Sequence, residues 1–247
     1  MEITIAIIAG LILGTLVNYL ADVLPTTRRL TQPTCLACSA PQTGKAYLLF
    51  QPCHSCGKKR SLRTWVVQLG LPVAAAWMYF APSPRLGLWM GLGVLAFFTL
   101  IAVIDLEYRL VMHPVSITGA IVGLCLGTWQ HGLLRTLEGG AAGFGAMFAL
   151  YYFGYLFTKL MARIRHQQIE EVALGFGDVN LSGVIGLLVG WPEIIGALLI
   201  AILLGGLVSA LIMAVMLALK RYQSMTAIPY APFLLVGASI YLFFAIP

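Results

Sequence analysis

Charge is what this chain has least of. Fifteen lysines and arginines and nine aspartates and glutamates make 24 ionised residues in 247, while 60% of the chain is hydrophobic. A water-soluble fold cannot hide that apolar share, so the composition excludes a soluble domain and implies an all-α polytopic membrane protein. Internal repeats and low-complexity tracts are also lacking. The first apolar segment has no basic leader (Glu2 is acidic) and no small-x-small pattern between Asn18 and Leu24, so it reads as a membrane helix and not a cleaved signal.

What is present is a series of apolar runs, at 3–21, 65–82, 86–104, 114–130, 137–158, 179–190, 194–219 and 230–246. They predict about eight transmembrane helices. The run 179–190 is short for the ~20 residues a crossing needs. Grouping the connecting loops alternately puts 13 of the 15 basic residues on one side and only Arg85 and Arg135 on the other. By the positive-inside rule the crowded side is cytoplasmic. The net charge of +6 is then a lipid-facing basic fringe and requires no nucleic-acid partner. Three divisions follow: residues 1–21 as a first transmembrane helix, 22–64 as a cytoplasmic loop, and 65–247 as a helical core. The outer loops are too short to build a site, so chemistry belongs to the cytoplasmic boundary or the bundle.

Cysteine is scarce outside one place. Cys35-Leu36-Ala37-Cys38 and Cys53-His54-Ser55-Cys56 form two CxxC knuckles 14 residues apart, and Gly57 suits the turn after the second. Two such knuckles supply the four-sulfur tetrahedron that structural zinc prefers. A redox pair and unligated thiols are the alternatives, and a reducing cytoplasm disfavours disulfides. Cys125, inside an apolar run, reads as a small core residue.

Acids at membrane edges are rarer still. Asp105 follows the run 86–104, and Asp178 closes Gly175-Phe176-Gly177-Asp178 ahead of 179–190. A carboxylate near hydrocarbon costs on the order of 2.5–3.5 kcal/mol at a helix centre, which makes each a functional candidate. Each also has a structural reading: Asp178 as a helix N-cap, Asp105 as a surface partner of Arg109. The topology sets both on one face, and Gly175 and Gly177 strip side chains from the backbone beside Asp178 so that another segment can approach. Two such carboxyls sharing one proton would hold a water for general acid–base hydrolysis of an unwound peptide bond.

Read in order, Gly14-Thr15-Leu16-Val17-Asn18, the paired CxxC motifs, Ala102-Val103-Ile104-Asp105, Leu174-Gly175-Phe176-Gly177-Asp178-Val179-Asn180-Leu181 and Ile228-Pro229-Tyr230-Ala231-Pro232-Phe233-Leu234 resemble the motifs of the type IV prepilin leader peptidases. These are GxGD aspartyl proteases of the bacterial inner membrane. The resemblance implies Asp105 and Asp178 as the catalytic dyad, Gly175 and Gly177 as its support, and Cys35, Cys38, Cys53 and Cys56 as zinc ligands. It implies a prepilin or pseudopilin substrate cut at the cytoplasmic face. Many members also N-methylate the new terminus with S-adenosylmethionine, which stays open for this chain. The chain departs from the family at His113 (usually an acid), Asn180 (usually lysine) and Ala231 (usually glycine). The gap between its cysteine pairs is shorter, and the arginine usual near Leu24-Pro25 is missing. The rival readings are a transporter or channel, which the absence of an inverted repeat disfavours, and an assembly factor without peptidase activity.

Overall fold

The computed structural model describes residues 2–165, 175–219 and 229–244. Leu174 and Ile228, which open two of the motifs, lie outside the described residues, as do the loop residues His166, Glu170, Glu171, Lys220 and Arg221. Among the described residues the helices are α1 (Glu2–Thr27), α2 (Gly44–Leu48), α3 (Leu62–Phe80), α4 (Gly87–Tyr108), α5 (His113–His131), α6 (Leu133–Arg165), α7 (Phe176–Val189), α8 (Glu193–Ala218) and α9 (Ala231–Phe243). Each of the eight apolar runs falls on one of them. Four, namely α1, α4, α6 over Leu133–Leu160, and α8, are long and apolar enough to cross a membrane, whereas α7 and α9 are shorter apolar helices. The protein is an integral membrane protein.

Helix ends depart from the ends of the apolar runs, and the departures move the acids. α4 winds on to Tyr108, so Asp105 sits within its last turn and does not follow it. α1 continues through Pro25 to Thr27, which makes Asp22 a buried helical residue and not the start of a soluble loop. α7 opens at Phe176 on a Gly175 N-cap, so Asp178 is its third residue. Between α1 and α3 the short α2 is capped by Thr43, and α3 by Ser61, whose side chain accepts from the Thr64 N–H.

The chain forms two compact units, residues 1–108 and 109–247. In the first, α1, α3 and α4 meet around Val17, Ala21, Val67, Leu71, Leu100 and Ile104. A Cβ at Gly10 would lie 2.6 Å from Pro72 Cα, so this glycine is what lets α1 and α3 close. Next to it, Gln68 Nε2 donates to the Leu11 carbonyl at 3.0 Å.

In the second unit α7 is the centre, packed against α5, α6, α8 and α9. Its buried residues (Val179, Leu181, Val184, Ile185, Leu188 and Val189 among them) point all round the helix, as a fully enclosed helix requires. Fourteen residues make it only about 21 Å long. The contact with α6 is backbone on backbone: a Cβ on Gly139 would overlap the Gly186 carbonyl, one on Gly186 the Gly139 carbonyl, and one on Gly143 the Ser182 carbonyl. Small residues four apart let membrane helices approach this closely, and Ser182 Oγ donates across the seam to the Gly143 carbonyl at 2.9 Å. Cys125 lies on the surface of this unit and not in its core. It faces out because the buried side of α5 is taken by Gly119, Gly123 and Gly127.

Contacts also set the relative heights of the helices. Phe176, at the start of α7, packs edge-on against Tyr151 of α6, 14 residues before α6 ends at Arg165. Tyr230, just ahead of α9, lies against Gly205 of α8, 13 residues before Ala218. At 1.5 Å per residue, α6 and α8 run on about 20 Å past the points where α7 and α9 begin.

The seam gives a direct expectation. Gly186→Ala destabilises the protein by about 1–3 kcal/mol, as overpacking does. Gly145→Ala on α6, where a Cβ meets nothing within 4 Å, stays at or above the parent. Thermal midpoints of the two variants in one detergent check this.

Candidate active site and metal centre

Asp178 occupies the first turn of α7 and is 8% exposed. Its backbone N–H donates to the Gly175 carbonyl at 3.1 Å, closing that turn. The N-cap is therefore Gly175, and the aspartate stands at a helix N-terminus where the dipole favours negative charge. A Cβ on Gly175 would lie 3.4 Å from Asp178 Oδ2, and one on Gly177 would lie 2.7 Å from Val111 Cβ. Both glycines thus clear space, one beside the carboxylate and one for the segment leading into α5. Phe176 projects between Phe144 and Tyr151 of α6, with ring centroids 6.5 and 5.8 Å away.

Tyr230 is a neighbour that the sequence reading quoted in a motif without giving it a part. It is half-buried and close enough to Asp178 for the two groups to interact electrostatically. A cavity of about 430 Å³ opens on the same helix, with His113, Ser116, Phe144, Asn180, Gly183 and Leu187 in its wall. His113 and Asn180, two of the departures from the family's motifs, therefore share one wall.

Asp105 belongs to the first unit. It is 4% exposed, in the last turn of α4 and next to Val103 and Ile104 of the apolar core.

The cysteines converge. Cys35 and Cys56 Sγ are 3.7 Å apart, Cys38 and Cys53 Sγ 3.6 Å, and all four lie within 4.8 Å of one another. The two knuckles repeat one backbone pattern. Ser39 N–H donates to the Cys35 carbonyl and Gly57 N–H to the Cys53 carbonyl, both at 2.8 Å. Cys35 N–H donates to the Ala40 carbonyl and Cys53 N–H to the Lys58 carbonyl. The closing residue of each is left-handed, Ser39 at φ 57° and Gly57 at φ 67°, a conformation glycine adopts freely and serine does not. Backbone N–H groups draw the Cys53 thiol down to about 6, chiefly that of Cys56. Cys35 is lowered too, chiefly through Ala37. Four sulfurs at Zn–S distances of about 2.3 Å sit about 3.8 Å apart, so the spacing fits a four-coordinate metal, and the distances are far from the ~2.05 Å of a disulfide.

Beside the knuckles is a polar cluster the sequence reading missed. Asp22, 3% exposed, accepts from Tyr47 Oη at 2.6 Å and from Arg63 Nη2, with Arg60 Nη1 at 3.8 Å. The Arg60 guanidinium lies over the Tyr47 ring, 4.0 Å from its centroid. Burial, reinforced by the Asp22 charge, keeps the Tyr47 phenol protonated far above its ordinary range. The available signal was Asp22 itself, an acid at the end of an apolar run.

Comparison with known proteins bears on the same residues. The model of the type IV leader peptidase family matches residues 92–210, a stretch that holds Asp105 and Asp178 and begins after the cysteine knuckles. The prepilin leader peptidase/N-methyltransferase of Burkholderia pseudomallei (strain 1026b) is 25% identical over 100% of this chain and 87% of its own length. The proteins of that name from Stutzerimonas stutzeri and Pseudomonas putida are each 26% identical. They match 75% and 76% of this chain, and 60% and 61% of their own lengths. No solved structure matches. Residues 92–210 of the chain thus match the type IV leader peptidase family, with Asp105 and Asp178 both inside the matched stretch, and one prepilin leader peptidase/N-methyltransferase aligns from end to end of the chain.

Proposed function

We propose that this protein is the membrane-embedded aspartic endopeptidase that removes the leader peptide from type IV prepilins or pseudopilins, with Asp105 and Asp178 as its dyad. The observation that carries the reading is that, among the described residues, the acids buried within the family match are Asp105 and Asp178, both in helices of an apolar chain. The working arrangement is eight passes through the bacterial inner membrane with the knuckles and both aspartates at the cytoplasmic face, as the basic loops favour. A transporter needs acids at mid-membrane within repeats. An assembly factor has no use for a family match centred on the aspartates.

Hydrolysis proceeds by shared protonation. Two carboxyls around one water do not both ionise, so one holds a proton. The N-terminus of α7 favours the charge on Asp178, and the C-terminal turn of α4 disfavours it on Asp105. Asp178 is then the base that takes a proton from water as the water attacks the scissile carbonyl. Asp105 is the acid that protonates the carbonyl oxygen, and the pair reverses roles to release the amine. The substrate presents an extended bond, because a helical one has already spent its carbonyl and N–H on itself. Tyr230, a neighbour of Asp178, offers a phenol O–H to the substrate or to Asp178.

The knuckles are assigned to structural zinc, with Cys35, Cys38, Cys53 and Cys56 as a closed ligand set that leaves no position for a substrate. S-adenosylmethionine is proposed as methyl donor for the newly exposed amine, in line with the names of the relatives.

Asp105→Asn and Asp178→Asn are each expected to abolish cleavage of a prepilin-type substrate by purified, membrane-inserted protein, and full turnover by either variant removes the dyad. Elemental analysis is expected to find about one zinc per chain, lost in Cys35→Ser/Cys38→Ser. A folded, metal-free parent protein contradicts the assignment. Mass spectrometry of the cleaved product, made with S-adenosylmethionine present, is expected to show one added methyl group at the new N-terminus.

A further inference from the structure

The end of α4 is charged against its own dipole. The C-terminal end of a helix is partially negative, and the last turn of α4 carries Asp105 and Glu107 and no basic residue. A turn built this way tends to unwind. The compensating charge arrives from α3: Arg63 Nε donates to Glu107 Oε1 at 3.0 Å. The same guanidinium donates through Nη1 to Asn18 Oδ1 at 3.1 Å and through Nη2 to Asp22 Oδ1, one turn apart on α1. Asn18, fully buried, is held in turn by its Nδ2 on the Thr64 carbonyl at 3.1 Å. One planar fork therefore fastens the last turn of α4 to two points on α1.

Two features fit a positioning device and not a ligand site. The cluster contains Arg60, Arg63, Asp22 and Glu107, two charges of each sign, so no surplus remains to attract an ion. Successive helical residues turn by about 100°, so Glu107 and Asp105 project about 160° apart. The fork grips α4 from one side and leaves the other side to Asp105.

We infer that Arg63 is a positioning residue for Asp105: by pairing with Glu107 and anchoring on Asn18 and Asp22, it keeps the last turn of α4 wound and the aspartate in register. This rests on the proposed catalytic role of Asp105. Arg63 touches no reacting atom, and its effect passes through the backbone of residues 104–108. Displacement of a catalytic group by about 1 Å from a distance can cost about a hundredfold in rate.

The test uses the full-length protein in proteoliposomes with a prepilin-type substrate. Arg63→Ala is expected to lower kcat about a hundredfold with KM near the parent value. Arg63→Lys recovers only part, since an ammonium group cannot serve three acceptors in one plane. Glu107→Ala lowers kcat as well, and adding it to Arg63→Ala costs little more, as partners in one contact do. Amide exchange in Arg63→Ala is expected to speed up at residues 104–108 and to stay at the parent rate in the middle of α1 and α3. Parent kcat in Arg63→Ala, additive losses in the double variant, or exchange rising throughout α1, α3 and α4 would each overturn the inference. Cleavage by Asp105→Asn would instead remove the catalytic role on which it rests, while exchange at 104–108, read without turnover, still reports on the clamp itself.

Discussion

Charge in an apolar chain must be offset where it stands, and nearly every polar feature here answers to that cost. A lone carboxylate near the membrane interior is unfavourable by on the order of 2.5–3.5 kcal/mol, and one stripped of its partner in a buried pair by about 3–5 kcal/mol. Asp22 is surrounded by Arg63, Arg60 and the Tyr47 phenol. Glu107 draws on the same Arg63. Asp178 is set at the one place on α7 where the backbone itself supplies positive potential. The acids occur at helix ends because the ends are where backbone dipoles and neighbouring side chains can stabilise them.

The same scarcity of polar contacts shapes the packing. Lipid gives helices little reason to associate through apolar burial, so close approach of small residues takes over. Gly139, Gly143 and Gly186 bring α6 and α7 together backbone to backbone, and Gly10 does the same for α1 and α3. The seam fixes α7 in the centre of its unit and so fixes the carboxylate at its head. The catalytic reading thus depends on residues with no side chain as much as on those with reactive ones.

How much of this was legible in the sequence differs from feature to feature, for physical reasons. The apolar runs located eight of the nine helices among the described residues, because hydropathy over a long run is a strong signal. They misplaced the ends. Polarity returns at Asp105 and at Asp22, but hydrogen bonding carries the helices on to Tyr108 and Thr27, where Arg63 pairs with Glu107 and Asp22 and Arg60 also approaches Asp22. The cysteine cluster was readable since its spacing is local and two turns repeat. The Arg63 fork was not, because its partners stand 41 to 45 residues away in sequence. No local pattern marks such a contact. Tyr230 stood inside a quoted motif, yet its approach to Asp178 depends on α9 folding back beside α7.

α7 and α9 begin about 20 Å short of where α6 and α8 end, and this recess constrains pharmacology. With Asp178 as the proposed base, an inhibitor reaches it alongside α6 and α8, whose projecting stretches are mostly apolar, with Lys159, Arg163 and Arg165 on α6. A strongly hydrophilic peptidomimetic of the sort that fills an open soluble protease cleft meets a partition penalty before it meets the carboxylate. A purely lipophilic compound dissolves in the bilayer with nothing to offer the acid. Amphiphiles carrying a hydroxyl or amine at one tip match the recess, so membrane partitioning belongs beside affinity as a design variable for this protein.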